Sequence, residues 1–173
     1  MNSHKQFANS LPNAEALLDI LADKLKPLIT SDTALVGIHS GGAWLTERLL
    51  PILGKDLAHG TLDVSFYRDD FGSRGLHAET RPSQIPFEVQ DKHIILIDDV
   101  FYTGRTIRAA MNELFDYGRP ASISLAVLVN RGGRELPITP QIVATEMALS
   151  RQQNLQLLRH EDGSFYLQLE ENS

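Results

Sequence analysis

The apolar positions of the chain fall into helical and strand-like runs, and their succession predicts its architecture. From Asn13 to Leu28, Ala14, Leu17, Leu18, Leu21, Ala22 and Leu25 recur at helical spacing, with Asn13 placed to cap the first turn. The opposite face carries Glu15, Asp19, Asp23, Lys24 and Lys26, the pattern of a solvated surface. Ala34-Leu35-Val36-Gly37-Ile38-His39 lacks alternation, as a strand covered on both faces requires. Ser40-Gly41-Gly42 follows, and Ala43, Trp44, Leu45, Leu49 and Leu50 predict a second helix. Leu62, Val64 and Phe66 alternate with Asp63, Ser65 and Tyr67, which predicts a strand with two unlike faces. Between Phe71 and Pro86 apolar residues are few and Gly72, Gly75, Pro82 and Pro86 interrupt, so a long loop is expected, usually a lid or disordered. Ile94 to Ile97 is another uninterrupted apolar run, and Asp98 and Asp99 stand where that strand should end. After Thr103-Gly104-Arg105-Thr106, the residues Ile107, Ala110, Met111, Leu114 and Phe115 resume helical spacing, with Gly118 as the stop. Ile123 to Val129 is a further buried strand. The tail holds two short strand-like pieces, Gln141 to Ala144 and Phe165 to Leu169, with Glu161-Asp162-Gly163-Ser164 as a turn. Repeated strand, short loop and helix predict an α/β domain with a mostly parallel sheet flanked by helices.

Composition narrows the class. The 173 residues suit a single domain, and 42% hydrophobic content with 7% aromatics is ordinary for a globular protein. No apolar run is long enough to span a membrane. The polar segment Met1 to Ser10 lacks the apolar core of a signal peptide, so a cytoplasmic location is expected. The absence of cysteine excludes disulfides and thiol catalysis. A net charge of −6 argues against broad nucleic-acid binding. The histidines show no metal-binding spacing.

The candidate chemistry lies in Ile94 to Ile107. A small polar loop opening a helix offers free backbone N–H groups and the positive helix end, which suits a phosphate. Gly104 lets the backbone come close to a ligand, and the Thr103 and Thr106 hydroxyls can donate to phosphate oxygens. Carboxylates only accept hydrogen bonds, so Asp98 and Asp99 suit a ribose diol. A phosphorylated pentose supplies both. No Gly-x-x-x-x-Gly-Lys-Ser/Thr and no Gly-x-Gly-x-x-Gly after a strand is present, which argues against a P-loop NTPase and a dinucleotide-binding domain. The Thr-Gly-Arg-Thr loop argues against a phospho-acceptor receiver domain.

This stretch resembles the phosphoribosyl-pyrophosphate (PRPP) motif of type I phosphoribosyltransferases. Together with Phe66-Tyr67-Arg68-Asp69-Asp70 and Val129-Asn130-Arg131-Gly132-Gly133-Arg134-Glu135-Leu136-Pro137-Ile138, in that order, it is similar to the PyrR family, pyrimidine-operon regulators that are also uracil phosphoribosyltransferases. The likeness runs from about Ala34 to Ile142. It implies the type I phosphoribosyltransferase fold in one domain, a lid over residues 69–86, and a small hood to which the tail 141–173 contributes. It implies conversion of uracil and PRPP to UMP and pyrophosphate with Mg²⁺ held through the substrate and by Asp98 and Asp99. The implied PRPP site is Asp98, Asp99, Val100, Phe101, Tyr102, Thr103, Gly104, Arg105 and Thr106, with Asp98, Asp99 and Arg68 catalytic. The implied pyrophosphate site is Ser40, Gly41, Gly42, Arg68 and Arg131. A homodimer or homotetramer and a UMP- or UTP-responsive regulator that binds RNA are implied as well. The chain departs from the pattern at Gly41, where many members have Arg, and at Asn130, where Asp is common. It departs again at Gly133 and Thr139, where RNA-binding members have basic or His side chains. The alternatives are an RNA-binding attenuation regulator with little enzymatic activity and a phosphoribosyltransferase for another nucleobase.

Overall fold

The computed structural model describes residues 11–65 and 82–172. Asn13 caps the first helix as expected, its side chain accepting from the Ala16 N–H at 2.9 Å. That helix, α1, spans Ala14–Leu25 and buries the six residues that the spacing selected. It stops short of Leu28 because Pro27 lacks an N–H; Lys26–Leu28 tightens into a 3-10 turn. The remaining elements are β1 (Thr33–Ile38), α2 (Gly41–Leu53), β2 (Ala58–Leu62), β3 (His93–Phe101), α3 (Arg105–Phe115), β4 (Ser122–Asn130), β5 (Ile142–Glu146), β6 (Gln153–Arg159) and β7 (Phe165–Glu171).

Five strands form one sheet in the order β2-β1-β3-β4-β5, every neighbouring pair parallel. Each face carries its own apolar layer, and the strands divide their residues by alternation. Leu35, Ile95, Ile97, Ala126 and Leu128 join α1, α2 and the β6–β7 hairpin. Ala34, Val36, Ile38, Ile94, Leu96, Leu125 and Val127 join Ile107, Ala110 and Leu114 of α3. Burial on both faces is why these strands read as unbroken apolar runs.

Three expectations are corrected. The strand anticipated around Leu62 to Tyr67 lies earlier, at Ala58–Leu62, because that segment pairs with β1; of the anticipated span only Leu62 is in a strand, and 66–67 lie outside the described residues. Gly60 makes that possible, since a Cβ there would stand 2.4 Å from the Gln84 carbonyl that bridges to Thr61. The strand before the acidic pair does not end there; β3 continues to Phe101 because β4 pairs with it on both sides of Asp99. Phe115, assigned to the apolar face of its helix, is 56% exposed at the last turn, where the sheet no longer reaches it. In the tail, Ile142–Glu146 pairs with β4 as the sheet edge, and β6 and β7 form a separate antiparallel hairpin.

One ionic junction fastens that hairpin to the helices. Arg48 of α2 donates to both oxygens of Glu15, at 3.0 and 2.8 Å, and Glu15 also accepts from the Phe165 N–H at 2.8 Å. The Arg48 hydrogen bond, offset by some burial, holds the Glu15 carboxyl below its ordinary pKa. A carboxylate depressed on folding contributes stability that is present above its unfolded pKa and is lost as pH falls through the folded value. Glu15→Gln is therefore expected to cost about 1 kcal/mol at neutral pH, a figure discounted for the exposure of both groups. In urea titrations the difference from the parent should vanish toward acid pH; a difference independent of pH would refute the ionic role.

Candidate active site

The last β1–β3 pair is Gly37 with Ile97, while β3 runs on to Phe101. Asp98 and Asp99 are the first residues beyond that pair. There the flank of β3 faces the first turn of α2 in place of a strand, with Gly42 against the Ile97 carbonyl and Gly41 against the Asp99 carboxylate. The chain leaves β1 through α2 toward β2, and leaves β3 through α3 toward β4. The carboxyl ends of β1 and β3 thus mark the point where the winding reverses, which is where open α/β sheets bind ligands.

Both carboxylates are buried, Asp98 at 3% and Asp99 at 7% exposure. Asp98 accepts from the Asp99 N–H at 2.9 Å, and Asp99 accepts from the Val100 N–H at 2.8 Å. These bonds and the positive ends of two helices favour adjacent buried anions. The strand is irregular at this point. Paired residues run to Asp98 and resume at Val100, and Val100 packs with the layer of Ile97 while Phe101 packs with that of Leu96.

The turn that follows opens a helix with free main-chain N–H groups. Gly104 has φ +98°, in the left-handed region that glycine enters without strain, and starts α3. The Thr103 hydroxyl accepts from the Arg105 N–H at 3.2 Å. Helix geometry leaves further first-turn N–H groups pointing out of α3. At the opposite wall, a cis peptide joins His39 to Ser40, and Ser40, Gly41 and Gly42 begin α2. The arrangement can accept hydrogen bonds from vicinal hydroxyls beside a helix tip that takes a phosphoryl group.

The expected site residues are thus largely gathered, with differences in role. The Phe101 side chain is core, 2% exposed, and its carbonyl accepts from the Arg131 N–H at 3.1 Å. Arg105 directs its guanidinium to Glu135, at 3.1 and 3.0 Å, an exposed pair. Arg131 is 4% exposed, lies 4.0 Å over the Tyr102 ring and donates to the Ser150 carbonyl at 2.7 Å. Those contacts brace the turn from beneath. Arg68 and most of the anticipated lid lie outside the described residues.

The outer wrap of the turn by the segment after Arg134 is not legible in the sequence. The Glu135 and Leu136 N–H groups donate to the Thr103 carbonyl at 2.9 and 3.3 Å. Leu136 and Ile138 lie nearest to a Cβ built at Gly104. No periodicity links residues so distant in the chain. No group of three His, Cys, Asp or Glu residues able to hold a metal occurs among the described residues. None of the described helices is long and apolar enough to cross a membrane.

A family model described as the phosphoribosyl transferase domain matches residues 8–148. The Bifunctional protein PyrR of Pseudomonas fluorescens is 48% identical over 165 residues, covering 93% of this chain and 96% of the relative. That of Pseudomonas paraeruginosa is 50% identical over 153 residues, covering 86% and 90%. Among solved structures, a hypoxanthine-guanine phosphoribosyltransferase from Bacillus anthracis aligns with a TM-score of 0.62 at 15% identity, over 79% of this chain and 82% of that one. This is a likeness of fold.

Proposed function

The chain belongs to the phosphoribosyl transferase domain family, among its PyrR members, and on that premise we propose that it converts uracil and PRPP to UMP and pyrophosphate. The observation that carries the proposal is the pair of buried carboxylates on β3 beside the N-terminal turn of α3. In this reaction the C1–oxygen bond to pyrophosphate breaks and a C1–nitrogen bond to the base forms, with loss of the proton on that nitrogen. Charge builds in two places, negative on the leaving group and positive at C1, so catalysis rests on alignment and electrostatic stabilisation. Asp98 and Asp99 hold the ribose diol, and Asp99 also faces the positive charge that develops at C1. Residues Val100 to Thr106 surround the 5-phosphate, with N–H groups and the Thr103 and Thr106 hydroxyls as donors. Ser40, Gly41 and Gly42 present backbone N–H groups to pyrophosphate, helped by Arg68, while Arg131 braces the Tyr102 turn.

The donor set fits Mg²⁺, a cation that prefers oxygen and binds through few carboxylates plus substrate phosphates. When bound with PRPP it neutralises the departing pyrophosphate, and Asp98 and Asp99 are the residues that would face it. A second role as an RNA-binding regulator finds less support. α1 carries Glu15, Asp19 and Asp23 against Lys24 alone, and the net charge is −6.

A base panel tests the proposal. Pyrophosphate release from PRPP is expected with uracil, and to stop when Mg²⁺ is chelated. Turnover with hypoxanthine, guanine or orotate in place of uracil would transfer the proposal to another base, and no turnover with any base would end it. In the same preparation, tight binding of a pyrimidine leader transcript at physiological salt, strengthened by UMP, would establish the regulatory role instead.

A further inference from the structure

Residues 82–86, the end of the anticipated lid, are held from two sides. Thr61 and Gln84 exchange N–H and carbonyl groups, at 2.8 Å in both directions, in an isolated antiparallel bridge at the outer edge of β2. One residue before Gln84 the bonding passes to a side chain. The Asp63 N–H donates to the Ser83 hydroxyl at 3.0 Å, and that hydroxyl donates in turn to the Glu113 carboxylate of α3. A hydroxyl carries one proton and two acceptor sites, so Ser83 serves both partners at once. Leu62, next to Asp63, accepts from the His39 N–H at 2.9 Å. His39 leads into the Ser40-Gly41-Gly42 turn. That wall of the crevice is thus joined, through Leu62, Asp63 and Ser83, to the helix whose tip forms the other wall. Pairing of β1 with β3 joins the two walls within the sheet, and Ser83 with Glu113 joins them a second time by side chains.

We propose that Ser83, through its bond to Glu113, is a positioning residue: it fixes the separation of the pyrophosphate and 5-phosphate turns so that one PRPP molecule spans both. This rests on the phosphoribosyltransferase reading above. PRPP carries its two anionic groups on one sugar, so its second contact is intramolecular and depends on that separation. Inorganic pyrophosphate and ribose 5-phosphate each meet one turn and do not sense it. Loss of the tie therefore weakens PRPP selectively.

Calorimetric titration of the full chain with PRPP, inorganic pyrophosphate and ribose 5-phosphate, each with Mg²⁺, tests this. Ser83→Ala and Glu113→Ala are each expected to weaken PRPP about 10-fold, the scale of one hydrogen bond to a charged group, with KM for PRPP rising alike and kcat little changed. The affinities for the two half-ligands should stay within about 2-fold of the parent. The double variant should lose no more than either single one, because both substitutions remove the same bond. Glu113→Gln keeps an oxygen that accepts the Ser83 proton, so it should bind PRPP within about 3-fold of the parent. Unchanged PRPP affinity in Ser83→Ala, equal losses for all three ligands, or penalties that multiply in the double variant overturn the proposal. If Ser83→Ala does not fold, Glu113→Ala and Glu113→Gln decide, since they leave the bond between Ser83 and Asp63 in place. A parent that binds no PRPP sinks the phosphoribosyltransferase reading as a whole. A parent that binds it, beside variants that bind it equally well, sinks the tie alone.

Discussion

Replacing both Asp98 and Asp99 by asparagine is expected to abolish UMP formation while leaving the fold intact. Among the bonds of the described residues, Asp98 accepts the Asp99 N–H and Asp99 the Val100 N–H, each through Oδ1. An amide oxygen can accept the same bonds, so the irregular end of β3 keeps its local support. The amide nitrogen in the other position is a donor, however, and cannot receive a ribose hydroxyl. Two buried charges that would face a developing cation also disappear. Removing one preorganised electrostatic partner costs about 10²–10³-fold, so the pair is expected to cost about 10⁴-fold or more in kcat/KM. Stability should stay within about 1 kcal/mol, since desolvation of two carboxylates is relieved as their charge-assisted bonds weaken. Initial rates with PRPP and uracil, calorimetric binding of PRPP with Mg²⁺, and a thermal melt together check this. A folded double variant that still forms UMP at the parental rate would remove both residues from the mechanism.

What made this site legible in the sequence is that its two halves are local. Asp98 and Asp99 stand a few residues before Gly104 and the start of α3, and that spacing is set by one strand-turn-helix connection. The same is true of Ile38 to Gly42. Interior strands β1, β3 and β4 were legible because burial on both faces removes polar residues from them. β2 was not, because Ala58-His59-Gly60-Thr61-Leu62 lies at the sheet edge and pairs through its backbone, with a glycine where Gln84 approaches. Contacts across sequence were equally hidden. Arg131, which the resemblance places at the pyrophosphate site, is buried over Tyr102 against Ser150, contacts that no local pattern reports. Glu135 reads as a surface charge, yet its N–H fixes the Thr103 carbonyl. Periodicity reports which face of an element is buried; it does not report which distant segment covers a turn.

Gly42→Ala is expected to be the most destabilising single substitution in the site. The added Cβ would lie 2.0 Å from the Ile97 carbonyl oxygen and 3.2 Å from the Asp98 α-carbon, both parts of β3 main chain. β3 cannot give way, because it is paired to β1 up to Ile97 and to β4 on the other side. α2 cannot withdraw freely either. The Gly42 carbonyl accepts from the Thr46 hydroxyl at 2.8 Å and packs onto Gly37, where a Cβ would stand 2.5 Å from it. Overpacking of a rigid contact costs about 3 kcal/mol, and relief requires the helix to tilt away from the strand ends. For a domain of this size that corresponds to a melting temperature lower by about 6–12 °C. The tilt also carries the start of α2 away from Asp99, so activity should fall together with stability. Thermal and urea unfolding of the variant beside the parent check this. If Gly42→Ala unfolded within about 1 kcal/mol of the parent, the close seating of α2 on β3 would not be what places a helix tip beside the acidic pair.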